Sequence, residues 1–291
     1  MPEGSVSPPS SLQAWVIEPG DVQGFGARAR EVWQYRRILR FFAVKALQSL
    51  YAKTRLGVWW IFIRSLVPLF VGSFVFGEVM DVPSGGVPYF LFFLVGQIPW
   101  NCFDGPLIRG GRGIEANRDL LTKLYIPRVI LPLAQMTRGV VDPVMNVLVL
   151  LCSLVYYRAT ADTWYVPLRG RLLAAVASVV VVLFFAFSLS LWTSVWQARA
   201  RDVRFAVRYV LGFWLIFTPV IYPLSMVPPN LRMWMYLNPL TAPIETFRWA
   251  LLPGFEHSWP WFGYTLLVTA ATFLSGVWSF ARTESATMDR M

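Results

Sequence analysis

The chain alternates between long apolar runs and short basic connections. Between Arg171 and Arg199 lie 27 residues without one charge, and similar charge-free runs occupy Val82–Phe103, Tyr209–Leu231 and Ser258–Ala281. A helix rises about 1.5 Å per residue, so about 20 residues cross a hydrocarbon core of roughly 30 Å. A soluble helix packed on one side would need a polar face, and these runs have none. The pattern predicts six spans, near 57–80, 87–108, 132–157, 172–197, 209–227 and 260–281. The expected fold is an all-α integral membrane protein.

Two other stretches follow different patterns. Over 28–50, Val32, Tyr35, Leu39, Phe42, Ala46 and Leu50 recur every three or four positions, with Arg36, Arg37, Arg40 and Lys45 off the stripe. This predicts a basic amphipathic helix in the cytoplasmic headgroup layer. The same pattern suits a helix packed on a partner, and the two are not exclusive. Residues 228–257 are too polar and proline-broken to span, yet too aromatic for a free loop. They predict two short re-entrant helices, near 229–237 and 242–252, dipping into the outer interface with Trp234, Tyr236 and Trp249 as anchors. Such backbone must be covered by protein or line a wet cavity.

Composition agrees. Hydrophobic residues make up 56% of the chain, and 47 of 291 are Phe, Trp or Tyr. Residues 1–27 are rich in Pro, Ser and Gly and lack the apolar core of a secretory signal, so they read as a flexible cytoplasmic tail. One transmembrane domain is expected over 28–281, with a second cytoplasmic tail at 282–291.

The net charge of +10 would suit nucleic acid, but its distribution excludes that partner. Nineteen of the 26 Lys and Arg fall before the first span, in 109–131, in 198–208 and in the C-terminal tail; five fall on the other side, and Arg64 and Arg138 lie within spans. This asymmetry puts both termini in the cytoplasm.

Few residues here support catalysis. Cys102 and Cys152 lie in apolar runs, where neither a disulfide nor a metal site is expected. His257, the one histidine, reads as a surface residue of a Pro/Trp-rich loop. A membrane glycosyl- or acyltransferase would need clustered acids or a placed His, and there is no DxD. Arg199, Arg201, Arg204 and Arg208 lack the every-third spacing of a voltage sensor. There is no GxxxxGK[ST], and none of Lys45, Lys53 and Lys123 follows a glycine. The chain therefore lacks the usual phosphate loop.

One stretch interrupts the grease: EANRDLLTKLYIPRVILP, residues 115–132. Asn117 suits a helix N-cap, and Asp119 suits the positive end of the dipole. Leu120, Leu121 and Leu124 form an apolar stripe, and Pro127 marks a stop or kink. Such a short helix suits docking in a groove of another protein; the alternative is a solvated loop carrying ordinary cytoplasmic charge.

Five segments, YAKTRLGVWWIFIRSLVPLFVGSFVFGEVM, GVPYFLFFLVGQIPWNCF, NRDLLTKLYIPRVILPLA, RDVRFAVRYVLGFWLIFTPVIYP and NPLTAPIETFRWALL, together resemble the ABC-2-type permease subunits of bacterial polysaccharide exporters. The resemblance runs in order from about residue 28 to 281. It includes Leu56-Gly57 with Trp60, Lys123 with Pro127-Arg128 and Pro132, Arg201-Asp202, and Asn238-Pro239. It implies a homodimer served by two copies of a separate ATPase, which binds ATP and Mg2+, so no cofactor is expected in this chain. It also implies a coupling helix between spans two and three, here Arg112, Glu115, Asn117, Leu120, Leu121 and Lys123. The implied cargo is a lipid-linked O-antigen, capsule or teichoic-acid-like polymer, moved outward across the bacterial inner membrane.

By the same resemblance, spans one and five line the path. They carry Trp59, Trp60, Phe62, Phe70, Phe74 and Phe76, and Tyr209, Phe213, Trp214, Phe217 and Tyr222. The ordinary alternative for each is lipid anchoring or core packing. Arg36, Arg37, Arg64, Arg109 and Arg112 are candidates for the cytoplasmic mouth, where they would attract a lipid pyrophosphate. Arg64 either meets that head group, snorkels or pairs with Asp104. Arg138 and Asp142, four apart on one helix face, suit a local ion pair, and Arg201-Asp202 a structural loop contact. The rival function is an ABC-2-type drug or small-lipid exporter, which would share the spans and the coupling helix.

Overall fold

The computed structural model describes residues 30, 33–49, 55–57, 59–117, 127, 129–162, 165 and 170–288. The N-terminal tail and most of the 118–128 connection lie outside them. Among the described residues the regular structure is helical, with no strand.

The amphipathic segment forms α1, Arg36–Gln48. Its stripe residues Phe42 and Ala46 are buried; Phe42 packs on Ile130, Leu131 and Ala134. Helix α2, Trp59–Ser73, widens into a π-helical turn over Phe74–Val79. That turn brings the backbone close to the next helix: a Cβ on Gly77 would stand 2.9 Å from that of Tyr89. Helix α3 is Tyr89–Gly111. The third expected span divides into α4, Ile130–Met136, a 3-10 turn at Thr137–Gly139, and α5, Val141–Ala161. Helix α6 is Leu172–Arg199 and α7 is Val203–Ile216. Two short helices follow, α8 at Pro229–Leu237 and α9 at Thr241–Leu251, and α10, Trp259–Met288, closes the chain.

Four helical stretches among the described residues are long and apolar enough to cross a bilayer: Trp59–Val79, Ile130–Ala161, Leu172–Arg199 and Trp259–Phe280. Helix α3 has 23 residues, but it carries Gln97, Asn101, Asp104 and Arg109. It is enclosed by protein along most of its length, wrapped by α4, α5, α6 and α9. Over the expected fifth span, 209–227, helix α7 has 14 residues, Val203–Ile216, and a turn follows it. Pro219 cannot continue it. Asn238 then closes its end, donating to the Phe217 carbonyl at 3.3 Å and the Thr218 hydroxyl at 2.8 Å.

Lipid tails are as apolar as leucine, so close backbone approach and satisfied polar groups hold such helices together. Along the α3–α6 seam a Cβ on Gly110 would sit 2.9 Å from that of Ser190, and one on Gly111 2.6 Å from Thr193 Oγ1. The seam's hydroxyls donate back to their own helix, Ser188 to Phe184 and Ser190 to Phe187, each at 2.8 Å. Gly105 and Gly139 bring α3 and the 137–139 turn backbone to backbone; a Cβ on Gly105 would lie 2.7 Å from the Gly139 carbonyl oxygen.

Gly139→Val should therefore lower stability by about 3 kcal/mol, because it meets backbone that cannot move aside. Gly212→Ala, with nothing within 4 Å of its Cβ, should be near neutral. Thermal melting of the purified chain in detergent measures both. Equal melting temperatures would contradict the packing described.

Candidate functional site

Helices α2 and α7 present aromatic faces to the outside of the chain. Trp59, Trp60, Phe62, Phe70 and Phe74 are exposed on α2 and its π turn, and Tyr209 and Phe213 on α7 with Phe217 at its end. Rings pair along α2, Trp59 with Phe62 at 5.6 Å, while Phe70 meets Phe90 of α3 at 5.4 Å. On α7 the spacing of Phe205, Tyr209, Phe213 and Ile216 keeps one face continuous. With Arg208 and Gly212 these residues line a groove of about 450 Å3.

Not every expected aromatic shares that face. Trp214 is half-buried, with its indole N–H donating to Asn238 Oδ1 at 2.9 Å and its ring edge-on to Phe103 and Phe185. Tyr222 is half-buried and donates to the Ile216 carbonyl at 2.9 Å. Both tie the end of α7 down, as does Asn238.

The arginines expected at the mouth are placed as follows. Arg36 is exposed, over the Trp33 ring at 5.4 Å, and Arg37 is exposed beside it. Arg109 sits half-buried in the last turn of α3, and Arg112 is exposed at its C-cap. Arg64 does not pair with Asp104, and Asp142 is not taken by Arg138. Instead Arg64 donates from Nε to Asp142 Oδ1 at 3.0 Å, its Nη2 contacting the same oxygen. Asp142 lies in the first turn of α5, where the helix dipole also favours its charge. Helical spacing suggested Arg138, but Arg138 reaches Gln135 Oε1 at 3.5 Å, leaving the α2–α5 contact to bring Arg64 in. Asp104 stands within electrostatic reach of Arg109, Asp142 and Arg208. A cluster of opposite charges thus lies where α2, α3, α5 and α7 converge.

The interrupting segment begins as a 3-10 turn, Glu115–Asn117. Asn117 donates from Nδ2 back to the Gly113 carbonyl at 2.9 Å. Glu115 pairs with Arg204 of α7 at 3.6 Å. Leu120, Leu121 and Lys123 lie outside the described residues. Arg201-Asp202 forms the turn into α7, with the Ala206 and Phe205 N–H groups bonded to the Asp202 carbonyl.

Residues 39–252 match the family model for the ABC-2 type transporter. The chain belongs to that family. Among its curated relatives are the O-antigen export system permease protein RfbA of Myxococcus xanthus, 28% identical over 79% of this chain and 85% of that protein. A Klebsiella pneumoniae protein of the same description is 27% identical over 72% of this chain and 78% of its own length. The polysialic acid transport protein KpsM of Escherichia coli is 20% identical over 84% and 92%.

In this ABC-2 chain the end of the bundle around α9 holds what the sequence did not reveal. Arg248 of α9, one of the five cations counted on the side opposite the termini, is fully buried. It donates to Glu245 at 2.6 Å and to the Val220 carbonyl at 3.1 Å, and lies over the Phe92 ring at 4.0 Å. Gly96 makes room for it: a Cβ there would stand 2.5 Å from the guanidinium. The i, i+3 spacing of Glu245 and Arg248 was the only visible signal. His257 is also not the plain surface residue expected. Its ring is 3.8 Å from that of Trp249, which carries Arg171 on its face at 4.5 Å. Burial, and then the Arg171 cation, hold the imidazole below its ordinary pKa.

Arg248→Met leaves Glu245 buried without its partner and should cost about 3–5 kcal/mol. Glu245→Met/Arg248→Met should regain most of that loss. Thermal unfolding of the purified variants checks both, and a single variant as stable as the parent would show that the pair does not hold α9 in place.

Proposed function

We propose that the chain is the membrane-spanning permease subunit of an ATP-driven exporter of a lipid-linked polysaccharide. The observation that carries the reading is the pair of exposed aromatic faces on α2 and α7 in a chain whose family relatives are named as O-antigen export and polysialic acid transport proteins. Each sugar hydroxyl dragged unpaired into hydrocarbon costs several kcal/mol, on the order of 4 or more. A polymer needs a hydrated path with protein walls. Aromatic rings cover the C–H faces of sugars without fixing their orientation, so a chain can be held and still advance.

In this reading two copies of the chain face each other and enclose the path between α2 and α7. Each copy crosses the inner membrane six times, with α3 and the short α7 counted as spans, both termini in the cytoplasm, and α8 and α9 re-entrant from the outside. Two copies of a separate ATPase bind ATP and Mg2+ and seat on the segment Arg112–Lys123. The Glu115–Arg204 pair gives that segment a direct connection to α7. Arg36, Arg37, Arg109 and Arg112 draw the lipid pyrophosphate to the mouth. Arg64, neutralised by Asp142, serves to join α2 to α5.

Tyr209→Ala/Phe213→Ala should leave membrane insertion and ATPase association intact and cut polymer export at least about tenfold in cells lacking their own permease, the loss expected for two ring contacts. Unchanged surface polymer would contradict the path, and restored drug efflux without polymer export would favour a small-molecule exporter. A proline inserted between Asn117 and Lys123 should detach the ATPase in a pull-down. Continued co-purification, with ATPase activity still responding to substrate, would remove the coupling assignment.

A further inference from the structure

Helix α2 ends in the π-helical turn Phe74–Val79, where the Met80 N–H reaches back five residues to the Val75 carbonyl at 2.9 Å. Turns of this kind are frequent at functional sites. Gly77 sets one side of the turn against Tyr89 of α3, while Phe74 and Glu78 are exposed. In an α-helix four residues overshoot one turn, so Phe74 stands slightly ahead of the exposed Phe70 around the axis. In the wider π turn four residues fall short of one turn, and that step brings Glu78 back toward the direction of Phe70. Phe70, Phe74 and Glu78 therefore form one outward row, two rings followed by a carboxylate.

Glu78 differs from the acids inside other helices. Asp104 lies within reach of Arg109 and Arg208, Asp142 is bonded to Arg64, and Glu245 is bonded to Arg248. Glu78 has no ion pair or hydrogen bond among the described residues. It is the penultimate residue of the apolar stretch Trp59–Val79, where a charge facing hydrocarbon is costly and one facing water or a ligand is not. An ionised carboxylate only accepts hydrogen bonds, and its two oxygens suit a pair of neighbouring O–H donors. Such bonds to a charge are stronger than neutral ones. A sugar diol offers that pair of donors beside the C–H face that the Phe70 and Phe74 rings would cover. The same charge repels a sugar that carries a carboxylate or a phosphate. We propose that Glu78 accepts hydrogen bonds from the hydroxyls of neutral sugar units at the end of the aromatic row, and so selects a neutral polymer over a polyanionic one. The inference rests on the path proposed between α2 and α7 and adds the class of sugar which that path admits.

Equilibrium binding of two radiolabelled probes, mannoheptaose and heptagalacturonate, to the full chain in nanodiscs tests it. The parent should hold the neutral probe about tenfold or more tightly than the acidic one, and Glu78→Gln should bring the two dissociation constants within about threefold. Glu78→Asp, which keeps the charge, should keep the preference. Asp202→Asn removes an exposed carboxylate from the turn before α7 and should also keep it. The proposal is overturned if the parent shows no preference, if Glu78→Gln discriminates as the parent does, or if Asp202→Asn erodes the preference equally. Phe70→Ala/Phe74→Ala separates this failure from that of the path. If that variant loses the neutral probe while Glu78→Gln discriminates as the parent does, the path stands and the role of Glu78 falls. If neither variant changes binding, the path along α2 falls with it.

Discussion

A helix that carries Asp104, Arg109, Asn101 and two prolines can cross a bilayer only inside other protein, because hydrocarbon offers its polar groups no partner. Enclosing α3 is the constraint from which the arrangement follows. Glycines 105, 110 and 111 let the neighbouring backbones reach it, and α6 supplies serines and threonines whose hydroxyls are already satisfied within their own helix. Near its N-terminal end the same helix receives Arg248, and Gly96 is the vacancy that lets the guanidinium in. That burial also fixes α9, tied to the turn after α7 through Val220.

With α4, α5, α6 and α9 packed on α3, outward apolar surface remains on α2, α5, α6, α7 and α10. On α5 that surface is aliphatic over Val144, Val147, Leu148 and Leu151, as a lipid contact requires. On α2 and α7 it is aromatic. The charge cluster around Asp104, Asp142, Arg64 and Arg208 lies among α2, α3, α5 and α7, and Glu115–Arg204 ties the 115–117 turn to α7.

The sequence carried the amphipathic helix, four apolar stretches long enough to span and the two short helices near 229–251, because periodicity and proline punctuation are local. Pro228 and Pro229, then Asn238-Pro239, bracket α8 and α9 within a residue of expectation. The end of α7 was not legible: Phe217, Val220 and Ile221 are as apolar in a turn as in a helix, and the residue that caps it, Asn238, lies 21 positions away from Phe217. The ion pairs failed for the same reason. Charge counting gives Arg248 no partner and assigns Asp142 to its helical neighbour, whereas the real partner of Asp142 is 78 residues distant. The family resemblance pointed to α2 and α7 together but did not separate Trp214, turned toward Phe103, from Tyr209 and Phe213, turned outward. The docking stripe at Leu120 and Leu121 lies outside the described residues.

The most direct measurement is polymer translocation into proteoliposomes holding this chain with and without its ATPase. The account predicts accumulation of lumenal polysaccharide only when the ATPase and ATP are both present, and neither nucleotide hydrolysis nor transport by this chain alone. Hydrolysis or translocation by the isolated chain would contradict it.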